Sequence, residues 1–113
     1  MNRNEAFQWI VAGHAALVVE ESKCNEAALF AEITHDWQGW YLEAMIRVLR
    51  GDRVTCADIA ERAKHTAKVY LCGRGVAGVG YLPPSMRRQM LYFGARFALT
   101  LAAILDNVDW DAK

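Results

Sequence analysis

Apolar side chains recur along this chain at the spacing of α-helices and not at the alternation of β-strands. Five segments carry this helical period, and in the longer ones apolar residues recur at positions i, i+3, i+4 and i+7, which builds one hydrophobic stripe along the helix. No stretch of useful length alternates apolar and polar residues. The pattern therefore predicts helices over residues 5–21, 25–33, 37–50, 56–72 and 85–106.

Residues that favour helix ends stand close to these segments. The expected N-caps are Asn4, Asp36, Thr55 and Ser85, whose side chains can accept a hydrogen bond from the first turn. Gly51 is placed to end the third predicted helix in the left-handed conformation. Local signals thus support both the starts and a stop of the predicted helices.

The last predicted helix follows a long loop, residues 73–84, which is rich in glycine and closed by two prolines. Residues 95–105 are apolar on nearly every face, as expected of a helix at the centre of a bundle or in a subunit interface. A chain of 113 residues can bury a core without metal or disulfide. We therefore expect a single all-α domain over residues 1–113. The predicted domain is a compact bundle of four to five helices with one Gly-rich loop before the C-terminal helix. We also expect a homodimer that forms through the C-terminal helix.

Composition narrows the class of protein. Hydrophobic residues make up 54% of the chain, which excludes a disordered or low-complexity protein. Lys plus Arg and Asp plus Glu both number 13, which argues against a wholly basic nucleic-acid binder. The charge is nevertheless uneven, with a net −5 over residues 1–45 and a net +4 over residues 46–74. These blocks either form opposite faces that steer partners or pack together and neutralise each other.

The cysteines and histidines give little sign of chemistry. The chain has three cysteines, Cys24, Cys56 and Cys72, and no Cys-x-x-Cys pair. An odd number without such a pair favours free thiols in a reducing cytoplasm, and no bound metal is expected. The G-x-G-x-x-G pattern at residues 73–78 follows a predicted helix and not a strand, so no cofactor is expected. No segment is long and apolar enough to predict a membrane span. A small cysteine-dependent enzyme, with a Cys–His pair assembled in space, stays as one alternative.

The densest aromatic cluster lies at the start of the third predicted helix, close to two arginines. Such a cluster at helical spacing is either core or interface, and aromatic and arginine side chains are favoured anchors of protein interfaces. Our first hypothesis is a non-catalytic protein-binding module, an inhibitor, adaptor or accessory protein of a bacterium or phage, that occupies a partner's surface. Its predicted partner-binding residues are Trp37, Trp40, Tyr41, Arg47, Arg50 and Arg74.

A second alternative comes from residues 53–63, with the sequence RVTCADIAERA. This segment resembles the first helix of the helix-turn-helix in lactose-repressor-type and tetracycline-repressor-type regulators. The resemblance implies a DNA-binding regulator that uses residues 55–74, with nucleic-acid contacts at Arg62, Lys64 and Lys68. Those families usually continue with a glycine and a small apolar residue, whereas this chain continues with Lys64 and His65.

Overall fold

A computed structural model of the chain describes residues 1–23, 27–71, 88 and 92–111, with backbone alone at 27–34 and 69–71. Within these ranges the helices are α1 (Arg3–Ser22), α2 (Ala27–Arg50), α3 (Arg53–Leu71) and α4 (Leu99–Asp106). A π-helical turn over Gly94–Ala98 leads into α4. No strand occurs in the described ranges, and the predicted all-α bundle is confirmed. The loop at residues 73–84 and the cap at Ser85 lie outside the described residues.

The second and third predicted helices form one continuous helix, α2. No glycine or proline stands between residues 33 and 37, so nothing in the sequence stops a helix there. The prediction of Asp36 as a cap was wrong, because Asp36 lies inside α2. Gly51 does end α2, with a φ of +74°, and its N–H donates to the Val48 carbonyl at 3.1 Å.

The caps of α1 and α3 lie upstream of the predicted ones. Asn2 Oδ1 accepts the Glu5 N–H at 2.8 Å, and Asn2 Nδ2 donates to Glu5 Oε1 at 2.8 Å. Asp52 Oδ1 accepts the Thr55 N–H at 3.1 Å, and Asp52 Oδ2 accepts the Thr55 hydroxyl at 2.9 Å. Asn4 and Thr55 therefore lie within first turns. In each case the cap side chain accepts the backbone N–H of the residue three positions on, which satisfies a free donor of the first turn.

The core fills the space between the four helices. Its largest fully buried side chains are Trp37, Tyr41, Ile10, Leu17, Ile59, Leu101, Val48 and Cys56. The π-helical turn and α4 bury Phe97, Leu101 and Leu105 against α3 and α1 within the same chain. Among the large apolar side chains in the described part of the C-terminal helix, Tyr92 and Leu99 remain exposed, and the homodimer predicted through this helix stays a prediction.

Helix α1 buries a narrower stripe than predicted. Ile10 and Leu17 are buried, but Val11 and Val18 are exposed. Gly13 explains the difference, because a Cβ at this position would stand 2.6 Å from Tyr41 Cε1. The missing side chain lets the Tyr41 ring sit directly on α1, so the flank that carries the two valines faces outwards.

The two ends of the chain are joined. The Met1 amino group donates to the Asn107 carbonyl at 2.9 Å, and the Asp109 N–H donates to the Met1 carbonyl at 2.6 Å. Val108 is buried and Trp110 packs against the core. Trp110 thus holds the described part of the tail against the bundle.

Candidate partner-binding surface

The predicted partner-binding residues divide between the core and the surface. Trp37 and Tyr41 are 2% and 1% exposed. The Tyr41 hydroxyl donates to the Phe97 carbonyl in the π-helical turn at 2.6 Å, and burial raises the pKa of this phenol. In this fold both side chains anchor α2 to the bundle and present no surface to a partner. Arg74 lies outside the described residues.

Trp40, Arg47 and Arg50 are brought together along one side of α2. They are seven and three positions apart, a spacing that keeps side chains on the same side of a helix. Trp40 is half-buried against the core, Arg47 is half-buried, and Arg50 is exposed. Arg47 Nη1 lies 3.7 Å from Asp52 Oδ2, which ties this side of α2 to the start of α3.

A cluster of arginines surrounds the turn between α2 and α3. The guanidinium of Arg3 lies over the Cα of Gly51, where it leaves no room for a Cβ. Arg50 is the last residue of α2 and Arg53 the first residue of α3, so both flank the same glycine. We name Arg3, Arg50 and Arg53 the arginine corner. Arg3 and Arg53 were not predicted, because contact between α1 and this turn is a property of the fold.

The arginine corner has an excess of positive charge. In the described part of the chain, no ion pair involves Arg3, Arg50 or Arg53. The nearby carboxylate of Asp52 is engaged by the cap, and its hydrogen bonds from Thr55, helped by Arg47 and Arg50, hold its pKa below the usual range. Helices α1 and α3 begin here and α2 ends here, so the partial positive charge of two N-termini is reduced by the partial negative charge of one C-terminus.

Exposed apolar side chains flank the arginine corner. Leu49 is 59% exposed on α2, and Val54 is 80% exposed on the first turn of α3. Arginine combined with exposed aliphatic groups is the mixture that protein interfaces favour. The corner can therefore offer both an ionic contact and an apolar contact to the same partner.

The cations on the body of α3 are largely neutralised. Arg62 bonds to Asp58 one turn earlier. Lys64 Nζ lies 3.1 Å from Glu61 Oε1 and 2.6 Å from Asp106 Oδ2. Lys68 is exposed. Two of the three predicted nucleic-acid contacts thus already face carboxylates of the same chain.

The turn required by the helix-turn-helix resemblance is absent from α3. The helix runs without interruption from Arg53 to Leu71, through Lys64 and His65. The departure from the family pattern at these two positions explains this, since neither is a glycine that could turn the chain.

A second apolar surface runs along the solvent side of α2. Leu42 and Ile46 are each 49% exposed, and they precede the exposed Leu49 at helical spacing. We name Gly39, Leu42, Ile46 and Leu49 the outer face of α2. These four positions follow one another at spacings of three, four and three residues.

A groove of about 240 Å³ lies between α1 and α4. Its walls include Trp9 and Ala16 of α1 and Thr100 and Ile104 of α4. Arg96 lies at the edge of the groove. Its Cζ is 5.0 Å from the centroid of the Phe97 ring, and its Nη1 is 3.6 Å from Glu20 Oε1. The cation of this groove is thus already paired within the chain.

The described residues offer little for nucleophilic or metal chemistry. Burial raises the pKa of the Cys56 thiol to about 11, so this cysteine is not a thiolate at neutral pH. Cys24 and Cys72 lie outside the described residues. His14 is half-buried on α1, and its buried Nε2 lacks the hydrogen bond expected of a core histidine. Among the described residues, no group of three or more His, Cys, Asp or Glu side chains is placed to hold a metal ion.

The chain was compared with protein-family models, curated proteins and solved structures, and none of them matches it. No helix in the described ranges combines the length and the apolar character needed to cross a membrane. The fold and the surface together define a small all-α bundle with an arginine-rich corner between its second and third helices.

Proposed function

We propose that this protein is a non-catalytic protein-binding module that docks the arginine corner onto an acidic surface of a partner protein in the cytoplasm. The observation that carries the proposal is the clustering of Arg3, Arg50 and Arg53 without carboxylate partners in the described structure, beside the exposed Val54. Arginine side chains at such a site gain bidentate bonds to carboxylates, which supply specificity as well as energy.

Two features favour a protein over a nucleic acid as the partner. Along α3, Arg62 and Lys64 face carboxylates, and of the three predicted nucleic-acid contacts only Lys68 has no ion pair with another described residue. A helix that follows a groove of DNA needs cations spaced along its length to contact phosphates. The flanking aliphatic side chains gain little from a phosphate backbone but bury well against a protein.

Docking of this kind matches a small inhibitor, adaptor or accessory protein. Arg47 and Trp40 extend the surface along α2 from the corner, and both are partly held by the bundle. Side chains that are already ordered lose less entropy on binding. The bundle thus acts as a rigid scaffold that presents the corner.

Charge reversal at Arg53 tests the proposal. The immobilised Arg53→Glu variant is compared with the wild-type chain for the proteins that each captures from extracts of the source cells. Lys68→Glu is the matched control, because it makes the same charge change at an exposed position of the same helix. We expect Arg53→Glu to lose the captured protein and Lys68→Glu to retain it, with unchanged helicity in both.

A direct titration with DNA tests whether the partner is a nucleic acid and not a protein. Binding of wild-type chain to random duplex DNA is measured at low salt and again as salt rises. Tight binding that weakens steeply with salt and is lost in Arg53→Glu assigns the corner to phosphates and overturns the proposal. Equal protein capture by Arg53→Glu and wild type overturns it as well.

A further inference from the structure

The glycine at position 39 has no explanation inside the fold. Gly13 is required by the Tyr41 ring, and Gly51 has a positive φ. Gly39 lies in the interior of α2, where glycine weakens a helix relative to alanine. A Cβ there would meet nothing within 4 Å. A bare stretch of backbone at an exposed helical position is useful where another chain approaches closely.

Gly39 belongs to a regular seam. From Gly39 to Leu42, Ile46 and Leu49 the spacing is three, four and three residues. This is the a/d repeat by which one helix packs against another through knobs and holes. The inward stripe of α2 occupies the opposite side of the helix, so the seam faces solvent. The outer face of α2 therefore has the spacing and exposure of a surface against which a second helix can pack.

We propose that the occupant is a second copy of this chain, whose α2 packs antiparallel to the first around a two-fold axis. The proposal goes beyond the partner-binding role of the arginine corner and does not depend on it. A two-fold contact uses the same patch on both copies, so that patch must complement itself.

The charges beside the seam are self-complementary in this arrangement. Asp36 and Arg50 lie on the same edge of the seam, near its two ends, and both are exposed. Neither forms an ion pair with another described residue. An antiparallel pair brings Asp36 of each copy towards Arg50 of the other, which gives two ion pairs. A parallel pair places this edge of the two copies on opposite sides of the contact, so Asp36 and Arg50 cannot pair and the gain is absent.

The apolar positions fit the same register. An antiparallel pair centred near Ala44 sets Leu42 opposite Ile46 of the second copy and Leu49 opposite Gly39. The open space over Gly39 then receives the side chain of Leu49. Glu43 of one copy approaches Glu43 of the other copy near the two-fold axis. In each copy Arg47 Nε lies 3.7 Å from Glu43 Oε1, which reduces the repulsion between the two carboxylates.

The dimer is compatible with partner binding. The two arginine corners lie at opposite ends of the paired helices. Arg50 then faces Asp36 and Leu49 is covered by the second copy, whereas Arg3, Arg53 and Val54 stay accessible. The pair thus presents two equivalent docking sites to acidic surfaces.

The test is the oligomeric state of the full chain, measured by sedimentation equilibrium from low to high micromolar concentration. We expect a monomer–dimer equilibrium that Ile46→Glu weakens at least tenfold, since it buries a charge in the seam. Leu99→Glu is the matched control, because Leu99 is an exposed apolar residue on α4, away from the seam. A wild-type monomer throughout, or a dimer weakened by Leu99→Glu and not by Ile46→Glu, overturns the proposal.

Two further variants separate a specific seam from general stickiness. Gly39→Ala should stabilise the monomer against urea yet weaken the dimer, because its methyl group fills the space that Leu49 needs. Asp36→Arg and Arg50→Asp should each weaken the dimer, whereas the double variant should regain most of the loss. Failure of the double variant to recover contradicts the antiparallel register. Loss of partner capture in Arg53→Glu with dimerisation intact distinguishes the two proposals.

Discussion

The two sides of α2 are both apolar, but only one is covered by the rest of the chain. The inner side carries Trp37 and Tyr41, which are almost completely buried. The outer side carries Leu42 and Ile46, each about half exposed. A helix that is apolar on opposite sides is normally buried on both. The comparison separates residues that build the bundle from residues that are available for association.

The glycines of the bundle repeat the same contrast. Gly13 lies under the Tyr41 ring of the inner side, where any larger residue collides with it. Gly39 lies on the outer side with open space above it. Contacts within the chain explain Gly13, whereas no contact among the described residues explains Gly39.

The largest effect should come from truncation on the inner side. Trp37→Ala removes the largest fully buried side chain, and we expect it to lower the free energy of unfolding by about 3–5 kcal/mol. Leu42→Ala on the outer side should change it by no more than about 0.5 kcal/mol in the monomer. Urea denaturation at low protein concentration measures both, and similar losses for the two variants would remove the distinction between the sides.

The next effect should differ in sign between the two glycines. Gly13→Ala forces the Tyr41 ring to move and should lower the free energy of unfolding by about 1–3 kcal/mol. Gly39→Ala should raise that of the monomer by up to about 1 kcal/mol, because alanine favours the helix. The same denaturation experiment decides, and a loss of stability in Gly39→Ala would show an internal role for this glycine.

Removal of the Tyr41 hydroxyl tests how much this hydrogen bond contributes to the stability of the inner side. Tyr41→Phe deletes the donor to the Phe97 carbonyl, and a buried acceptor left unsatisfied should cost about 1–2 kcal/mol. Tyr92→Phe is the control, because the Tyr92 hydroxyl bonds to Arg96 at the surface, so the loss there should be much smaller. Equal stability of Tyr41→Phe and wild type would mean that the π-helical turn does not need this anchor.

The smallest effect concerns the turn where α2 ends, and it depends on pH. The pKa of Asp52 is lower in the fold than its usual value, chiefly through hydrogen bonds from Thr55. The carboxylate therefore stabilises the fold above its usual pKa, and this contribution disappears as the pH falls through the folded-state value. Asp52→Asn retains a capping oxygen without the charge, so it should unfold at lower urea than wild type at neutral pH. The difference should vanish in strong acid, and a constant difference would contradict this role.

Local signals predicted most of the helices because such signals act within a few residues. The stop at Gly51 was predicted correctly, since only a glycine readily takes a positive φ. The helix break predicted at Asp36 was wrong, because a residue that favours N-caps does not interrupt a helix unless the chain also turns there. The π-helical turn at Gly94–Ala98 was not predicted, as its apolar sequence does not differ from that of an ordinary helix.

The candidate surface was predicted only in part. Arg50 and Trp40 were identified from their residue types, and both lie on the proposed surface or beside it. Trp37 and Tyr41 were equally good candidates by type, and packing placed them inside. Arg3 could not be predicted as part of the corner, since it lies far from Arg50 in sequence and only the fold brings them together.

The sequence by itself determined that this chain is helical, that a helix stops at Gly51, and which residues could serve as anchors. These properties depend on hydrophobic period and capping, which are local. The tertiary structure decided which apolar side of α2 is covered, how α1 is rotated, and that Arg3 lies against Gly51. Those outcomes depend on contacts between segments distant in sequence, and no pattern within one helix specifies them.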